Sequence, residues 1–577
     1  MVVPCAVIAS LGCDSGMQRI DRHTLELLEQ GTASIHAETV PAWSAARIPA
    51  GEAISFRGDP PTPVTRNPRA DQMDFTARPG DDDVLARITA AGDSGEPIAL
   101  DLAGAVAYAL RHGREYQTAA ENYVIVALNL LIERHLWSPR FFDEMSATAV
   151  TSGSGGVFDA SLNLVNELSV RQRLPYGGQV SASVLASAAE DLRRRVSDQS
   201  TQSASALLRA DIPLLRGAGQ AAREDRVQAE RNLIYAAREF ERFRREFYTS
   251  IATDYLDLIV RQQGIANAER QVQSFRGVEA RERALVEAGR QTTFQAALAA
   301  QDTLFAADRL SGQIESYRLA LDRFKIRLGM PIDTALEILP DRLGLPVPEV
   351  NIDRAVAIGL NQRLDLQTQR DRLEDSRRRV NVARNELLPD LDIFGSARIP
   401  TDPGKQRAGV DFSPEDGDYA AGILLSLPLD REIERARLRQ AQIAYDRAGR
   451  VYSEARDGVA VQVRSVVREI DRAIFSLRLQ EENVRIAEAR QASIEAAPDR
   501  ATARDRSDAV DAKTRAEDSL DLARRDLQVA VLRYLLLTDQ LRIAEDGSIE
   551  PLQGMIVDRD DPMLNEPPPA PPDPEFG

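Results

Sequence analysis

SASALLRADIPLL, Ser203 to Leu215, carries two different periods in one short stretch. Ala204, Ala206, Leu208, Ala210 and Ile212 alternate with Ser203, Ser205, Arg209 and Asp211, as in a strand with one apolar and one polar face. Pro213 ends the alternation. From about Arg216 to Glu287 no proline interrupts a helical run, which at 1.5 Å per residue would be about 100 Å long. A half-apolar strand feeding a very long helix is the unit from which the rest of the chain can be read.

The same unit recurs downstream. Leu391, Ile393, Ala397 and Ile399 alternate with Asp390, Asp392, Ser396 and Arg398, and Tyr419, Ala421, Ile423, Leu425 and Leu427 line up after them. Pro428 then precedes a second uninterrupted run, from about Arg431 to Ala497, in which Val459, Val463, Val466, Ile470, Ile474 and Leu477 step by threes and fours as a coiled-coil-like seam. Upstream, AVAYALRHGREYQT (Ala105 to Thr118) matches AVAIGLNQRLDLQT (Ala355 to Thr368) at an offset of 250 that persists to Pro139 and Pro389. Proline at the same place in both is a helix stop. A period this long indicates a duplicated half of one fold, and each half reads helix, strand pair, long helix, turn, long helix. In the first half, QVSASVLAS alternates Val180, Ala182, Val184 and Ala186 with serines, and SLNLVNELSVRQRLPYGG reads as a longer or bent strand with Gly177 and Gly178 as the bend. The expectation is four strands per chain, each about 9 to 11 residues, a length that suits a tilted strand crossing a bilayer.

These patterns divide the chain into an N-terminal segment 1–13, a polar extended linker 14–96, a first repeat 97–345, a second repeat 346–545 and a Pro-rich, disordered tail 546–577. MVVPCAVIASLGCDSG resembles the end of a bacterial lipoprotein signal, with Leu11, Gly12 and Cys13 at the cleavage site. Cys13 is thus the candidate for lipidation; Ser10 and the lack of a preceding Lys or Arg depart from that pattern and leave a plain export signal open. No later apolar run reaches the roughly 18 residues of a transmembrane helix.

Composition narrows the function. A net charge of -17 excludes general nucleic-acid binding. The two cysteines, Cys5 and Cys13, and the scattered His23, His36, His112 and His135 form no metal-ligand spacing. SGSGG, Ser152 to Gly156, lacks the lysine of a phosphate-binding loop, and no nucleophile elbow or kinase set occurs. Neither an enzyme nor a cofactor is expected.

Four strands cannot close a barrel, and a bilayer forbids an open sheet edge, so strands that span a membrane would have to be completed by other copies of the chain. A soluble coiled-coil scaffold without a pore is the alternative. The order of the segments resembles the TolC-like family of outer-membrane efflux proteins over about residues 97–545. The resemblance is carried by AVAYALRHGREYQT and AVAIGLNQRLDLQT, LLPDLDIF leading into a strand, SLPLDREIERARLRQA leaving one, AGRQTTFQAALAAQDTLFAA, and SDAVDAKTRAEDSLDLA. It implies a mainly α fold with a membrane β-barrel portion: a homotrimer whose chains give four strands each to a twelve-stranded barrel in outer-membrane lipid, and long helices to a coiled-coil tunnel in the periplasm. It also implies docking to a periplasmic adaptor protein and an inner-membrane transporter, in an efflux pump or in a type I protein-secretion system.

The resemblance further implies the residues of a closing tip. SDAVDA matches a family signature with two acidic rings, giving Asp508 and Asp511 the ring positions; Arg504 falls on a latch arginine, and Gln295 stands where its partner is an aspartate. Three copies of each aspartate around a narrow axis would attract cations and repel anions. Read from the residues alone, Asp508 and Asp511 share a helix face, and other readings stay open. These are a divalent-cation site built from symmetry-related carboxylates, an ordinary solvated surface, and a glycosidase-type pair, which the absence of nearby aromatics disfavours.

Overall fold

The computed structural model describes residues 13–35, 97–154, 157–191, 201–340, 345–401, 412–496, 501–544 and 548–549. In chain order the elements are α1 (Cys13–Ser34), β1 (Ile98–Leu100), α2 (Leu102–His112), α3 (Arg114–Leu136), β2 (Arg140–Ser154), β3 (Val157–Arg173), β4 (Gln179–Asp191), β5 (Thr201–Pro213) and α4 (Gln220–Glu287). They continue with α5 (Thr293–Leu328), β6 (Leu336–Ile338), α6 (Ile352–Gln362), α7 (Leu364–Asn385), β7 (Asp390–Pro400), β8 (Asp418–Ser426), α8 (Glu432–Ala496) and α9 (Ala503–Leu537). The helix starts at 102 and 114 recur at 352 and 364, and α4 and α8 run for 68 and 65 residues. The chain divides into two compact units, one of 1–40, 122–238 and 366–455, the other of 41–121, 239–365 and 456–577.

The first unit holds one antiparallel sheet in the order β2-β3-β4-β5-β7-β8. This corrects the expectation of four strands: the alternating segments are β4, β5, β7 and β8, SLNLVNELSVRQR lies in β3 as the longer strand, and the unanticipated β2 pairs with it in a hairpin of 15 and 17 residues at one edge. Gly177 and Gly178 do not bend a strand. They make the β3–β4 turn, at φ of 106° and 85°, where a β-carbon on Gly178 would overlap the Asp211 carbonyl.

Register fixes what each face carries. Cross-strand partners share a face, so Val170, Ala182, Leu208, Ala397 and Tyr419 form one continuous row. Leu168, Val184, Ala206 and Ile399 form the next, and Ile212, Ile393 and Ile423 another. Phe141, Met145 and Leu164 extend this face onto the edge hairpin. The opposite face carries Glu144, Glu167, Ser169, Ser183, Ser205, Arg398 and Asp418. The apolar side is open: Phe141 is 76 %, Ile423 69 % and Leu425 55 % exposed. Below the sheet, α4 and α7 are joined by ion pairs, Arg238 to Asp371 at 2.7 Å and Arg378 to Glu224 at 3.2 Å, and by Arg231 with Asp375.

A second correction concerns residues 14–35, expected within an extended linker. They form α1, whose Leu27 and Leu28 are buried and whose Leu28 carbonyl accepts the Tyr123 hydroxyl at 3.1 Å. Tyr123 lies about a hundred residues away in sequence and Leu233, beside Gly31, about two hundred, so local composition hid these contacts. The rest of the expected linker and the expected Pro-rich tail lie outside the described residues. No described helix is long and apolar enough to cross a membrane.

The second unit is built from helix seams. Ala268, Val272 and Phe275 of α4 pack with Ala306, Leu310 and Ile314 of α5, and Val510 of α9 leans on that cluster. The Val459, Val463, Val466 and Ile470 seam of α8 is buried as its spacing predicts, and Ile474 and Leu477 are half-buried. Gly359 of α6 meets Val463 so closely that a β-carbon would press into it.

Candidate functional site

The candidate site occupies the first turns of α9 and lies wholly in the second unit. Thr502 caps the helix. Its hydroxyl accepts the Asp505 amide at 3.2 Å, and the Asp505 carboxylate accepts the Thr502 amide at 3.0 Å. The Thr502 hydroxyl, donating to the Asp505 carboxylate at 2.7 Å, and then the Thr502 amide hold that carboxyl below the usual range. In the α4–α5 turn Gly289 takes φ 69°.

Asp508 and Asp511 diverge in environment. Asp508 is exposed. Asp511 is half-buried: it accepts the Gln271 side-chain amide at 2.6 Å and has Arg309 at 3.8 Å. Burial pushes its carboxyl up, against the pull of Arg309 and Arg515. Three helical residues advance 300°, about 60° short of a full turn, which rotates Asp511 toward the α4 seam and leaves Asp508 on the open side.

Arg504 and Gln295 are not joined. Arg504 is exposed, and no hydrogen bond or ion pair links it to Gln295, whose Oε1 is buried without a partner. The arginine that does reach across is Arg506, 10 % exposed at the side chain, which bonds the wholly buried Glu282 of α4 at 2.9 Å. Gln271 to Asp511 and Asn267 to Asp518 at 2.8 Å continue the same connection between antiparallel α4 and α9. A sequence signal for Glu282 exists. The seam positions 265, 268, 272 and 275 step by threes and fours onto Glu279 and Glu282, placing carboxylates where apolar residues belong. Chemically the arrangement offers one open carboxylate, one restrained carboxylate and one buried charge pair holding two helices together. Among the described residues no cluster of ligand side chains fits a metal ion. Cys13 is the first residue of α1.

Residues 358–533 match the family model described as outer membrane efflux protein. No curated protein matches the chain. Among solved structures, the outer-membrane channel OprN is similar over 77 % of this chain and 90 % of its own, at 15 % identity and a TM-score of 0.57. The outer membrane protein VceC of Vibrio cholerae is similar over 76 % and 95 %, at 17 % identity and a TM-score of 0.56. The Neisseria gonorrhoeae MtrE outer membrane channel is similar over 76 % and 88 %, at 15 % identity and a TM-score of 0.55. Long helices joined to an antiparallel sheet with one open apolar face are the fold of an outer-membrane channel. The resemblance to TolC-like outer-membrane efflux proteins, carried by motifs on both sides of Leu364, is borne out by the family match and by the fold.

Proposed function

We propose that this chain is the outer-membrane exit duct of an efflux pump, working as a homotrimer whose sheets close into a barrel and whose long helices line a periplasmic tunnel. Transport is passive. A periplasmic adaptor and an inner-membrane transporter supply the drive, and the duct contributes a continuous path and a tip that opens. The observation that carries this reading is the six-stranded sheet, whose open face is apolar from Phe141 to Ile423 and whose other face carries most of the charged and hydroxyl side chains, with Leu207 and Leu424 among them. A water-soluble scaffold would leave that face as a large exposed apolar patch, whereas lipid covers it.

At the tip, Asp508 supplies the outer acidic ring and Asp511 a second ring restrained by Gln271. The latch role moves from Arg504 and Gln295 to Arg506 and Glu282, the pair in contact within one chain. Cys13 is the lipid anchor that places α1 at the membrane.

Planar-bilayer conductance of the purified protein tests this reading. Small cation-selective steps, reduced by divalent cations, are expected from the wild type. Asp508→Ala should lower cation selectivity more than Asp511→Ala, because only Asp508 is free of partners in the helix pair. Well-folded protein that is absent from the outer-membrane fraction, or that forms no detergent-resistant trimers, would sink the duct reading.

A further inference from the structure

We infer that the membrane barrel of this protein has eighteen strands, three copies giving six each, with β2 of one copy paired to β8 of the next. The inference rests on the duct reading above and departs from the twelve-stranded barrel that the family resemblance implies.

The first support is continuity of the edge hairpin with the sheet. β2 pairs with β3 from Arg140–Arg171 to Ser154–Val157, and β3 pairs with β4 from Arg173–Gln179 to Ser161–Asp191, with no slip in register. The hairpin therefore belongs to the same wall. Its faces agree with the wall's faces: Phe141, Met145, Leu164, Leu168 and Val170 continue the apolar side, and Glu144, Ser146, Glu167, Ser169 and Arg171 the polar side. A one-residue slip would have put every one of these on the wrong face. On the polar side, Phe142 lies under the guanidinium groups of Arg140 and Arg171, at 5.5 and 5.4 Å, which suits an aromatic ring on a wet surface. Of the polar residues on the apolar side, Asp143 and Asn166 satisfy each other with a 2.8 Å hydrogen bond near the start of β2.

The second support is the chemistry of the two edges. β2 and β8 each have one ladder partner, so the outer backbone groups of both are unpaired in the single chain. A bilayer does not tolerate such edges, and six strands are fewer than the eight of the smallest closed barrels. The strands are antiparallel throughout, so the first and the sixth run in opposite directions, and β8 beside a neighbour's β2 continues the alternation without a break. That is a head-to-tail contact, which closes into a ring by rotation. A second copy is the occupant that offers the matching edge and the matching apolar row, Tyr419 and Ile423 on one side and Phe141 and Met145 on the other.

Barrel width grows roughly linearly with strand number, so eighteen strands make a mouth about one and a half times as wide as twelve would. The outer mouth then sets no size limit of its own, and exclusion of large solutes falls to the helical tip.

Electron cryomicroscopy of trimers extracted from the outer membrane counts the strands directly. Eighteen strands with β2 against a neighbouring β8 is the expected result. Twelve strands, with the β2–β3 hairpin outside the wall, would overturn the inference and leave the duct intact. Absence of membrane trimers would overturn the duct and the strand count together. Disulfide scanning gives a second readout: Met145→Cys combined in turn with Tyr419→Cys, Ala421→Cys and Ile423→Cys. At least one pair should yield covalent trimers on a denaturing gel, and failure of all three alongside a twelve-stranded image would close the matter against it.

Discussion

The returning helices of the two halves end at matching places and solve the same problem with different residues. α5 ends at Gly329 and α9 at Asp539, both in the left-handed region at φ 83° and 60°, and in each the next amide reaches back five residues, Met330 to Lys325 at 2.9 Å and Gln540 to Leu535 at 2.8 Å. Each end abuts the break between a short helix and its successor. Gly329 lies against the His112 carbonyl, where α2 gives way to α3. Asp539 accepts the amide of Leu364, the first residue of α7, at 3.2 Å. In the first half the backbones are so close that no side chain fits. In the second half a little more room admits a carboxylate, which caps the next helix and bonds Arg245 at 2.5 Å. Glycine lets the chain approach; aspartate fills the gap with charge.

The largest effect is expected from forcing a side chain into the tighter of the two places. Gly329→Ala puts a β-carbon into the His112 carbonyl and adds the left-handed strain that glycine avoids, about 1–2 kcal/mol. Because the obstacle is backbone, a further ~1–3 kcal/mol goes into moving it. Denaturant unfolding in detergent, followed by helical ellipticity, should show a loss of about 2–5 kcal/mol. A loss below that of any Asp539 variant would break the comparison.

Asp539→Ala comes next. It keeps the left-handed geometry and removes the carboxylate that serves Arg245 and the Leu364 amide, a loss of about 2–3 kcal/mol for charged hydrogen bonds. Arg245 is not stranded, since Glu241 accepts its Nε at 2.9 Å, which keeps the cost under that of an orphaned buried charge. Asp539→Gly should be milder than Asp539→Ala by about 1 kcal/mol, because glycine relieves the backbone conformation. Equal values for the two would mean that the left-handed geometry at Asp539 carries no strain.

What could be read beforehand follows the same division between local pattern and distant contact. β4, β5, β7 and β8 announce themselves by strict alternation, as in QVSASVLAS and SASALLRADIPLL. β2 does not: Phe141 and Phe142 stand side by side, so both faces of its first turn of pleat carry an aromatic, and Asp143 sits on the apolar side. β3 was half legible, with Leu164, Leu168 and Val170 in phase and Asn166 out of it. In the first turns of α9, the motif singles out Asp508 and Asp511 without telling them apart, because their difference comes from Gln271, some 240 residues away. The motif points to Arg504 and not to Arg506 for a related reason. Which of two arginines two residues apart turns inward depends on where the α4 seam lies, and that seam ends on Glu282.

The smallest effect, and the sharpest test of why the second half uses aspartate, is Asp539→Asn. Asparagine tolerates the left-handed region about as well as aspartate does, so the backbone term drops out. Its side-chain oxygen can still accept the Leu364 amide, so the cap on α7 survives. What is lost is the full charge facing Arg245, and Arg245 retains both Glu241 and the Asp539 main-chain carbonyl, at 3.3 Å. The difference between a charged and a neutral acceptor with these other partners in place is about 1 kcal/mol. A loss of that size in the same unfolding assay would show that Asp539 acts chiefly as a hydrogen-bond acceptor filling the gap that Gly329 leaves no room for. A loss equal to that of Asp539→Ala would show instead that the charge is the whole reason for the residue, and that the two helix ends are alike only in backbone shape.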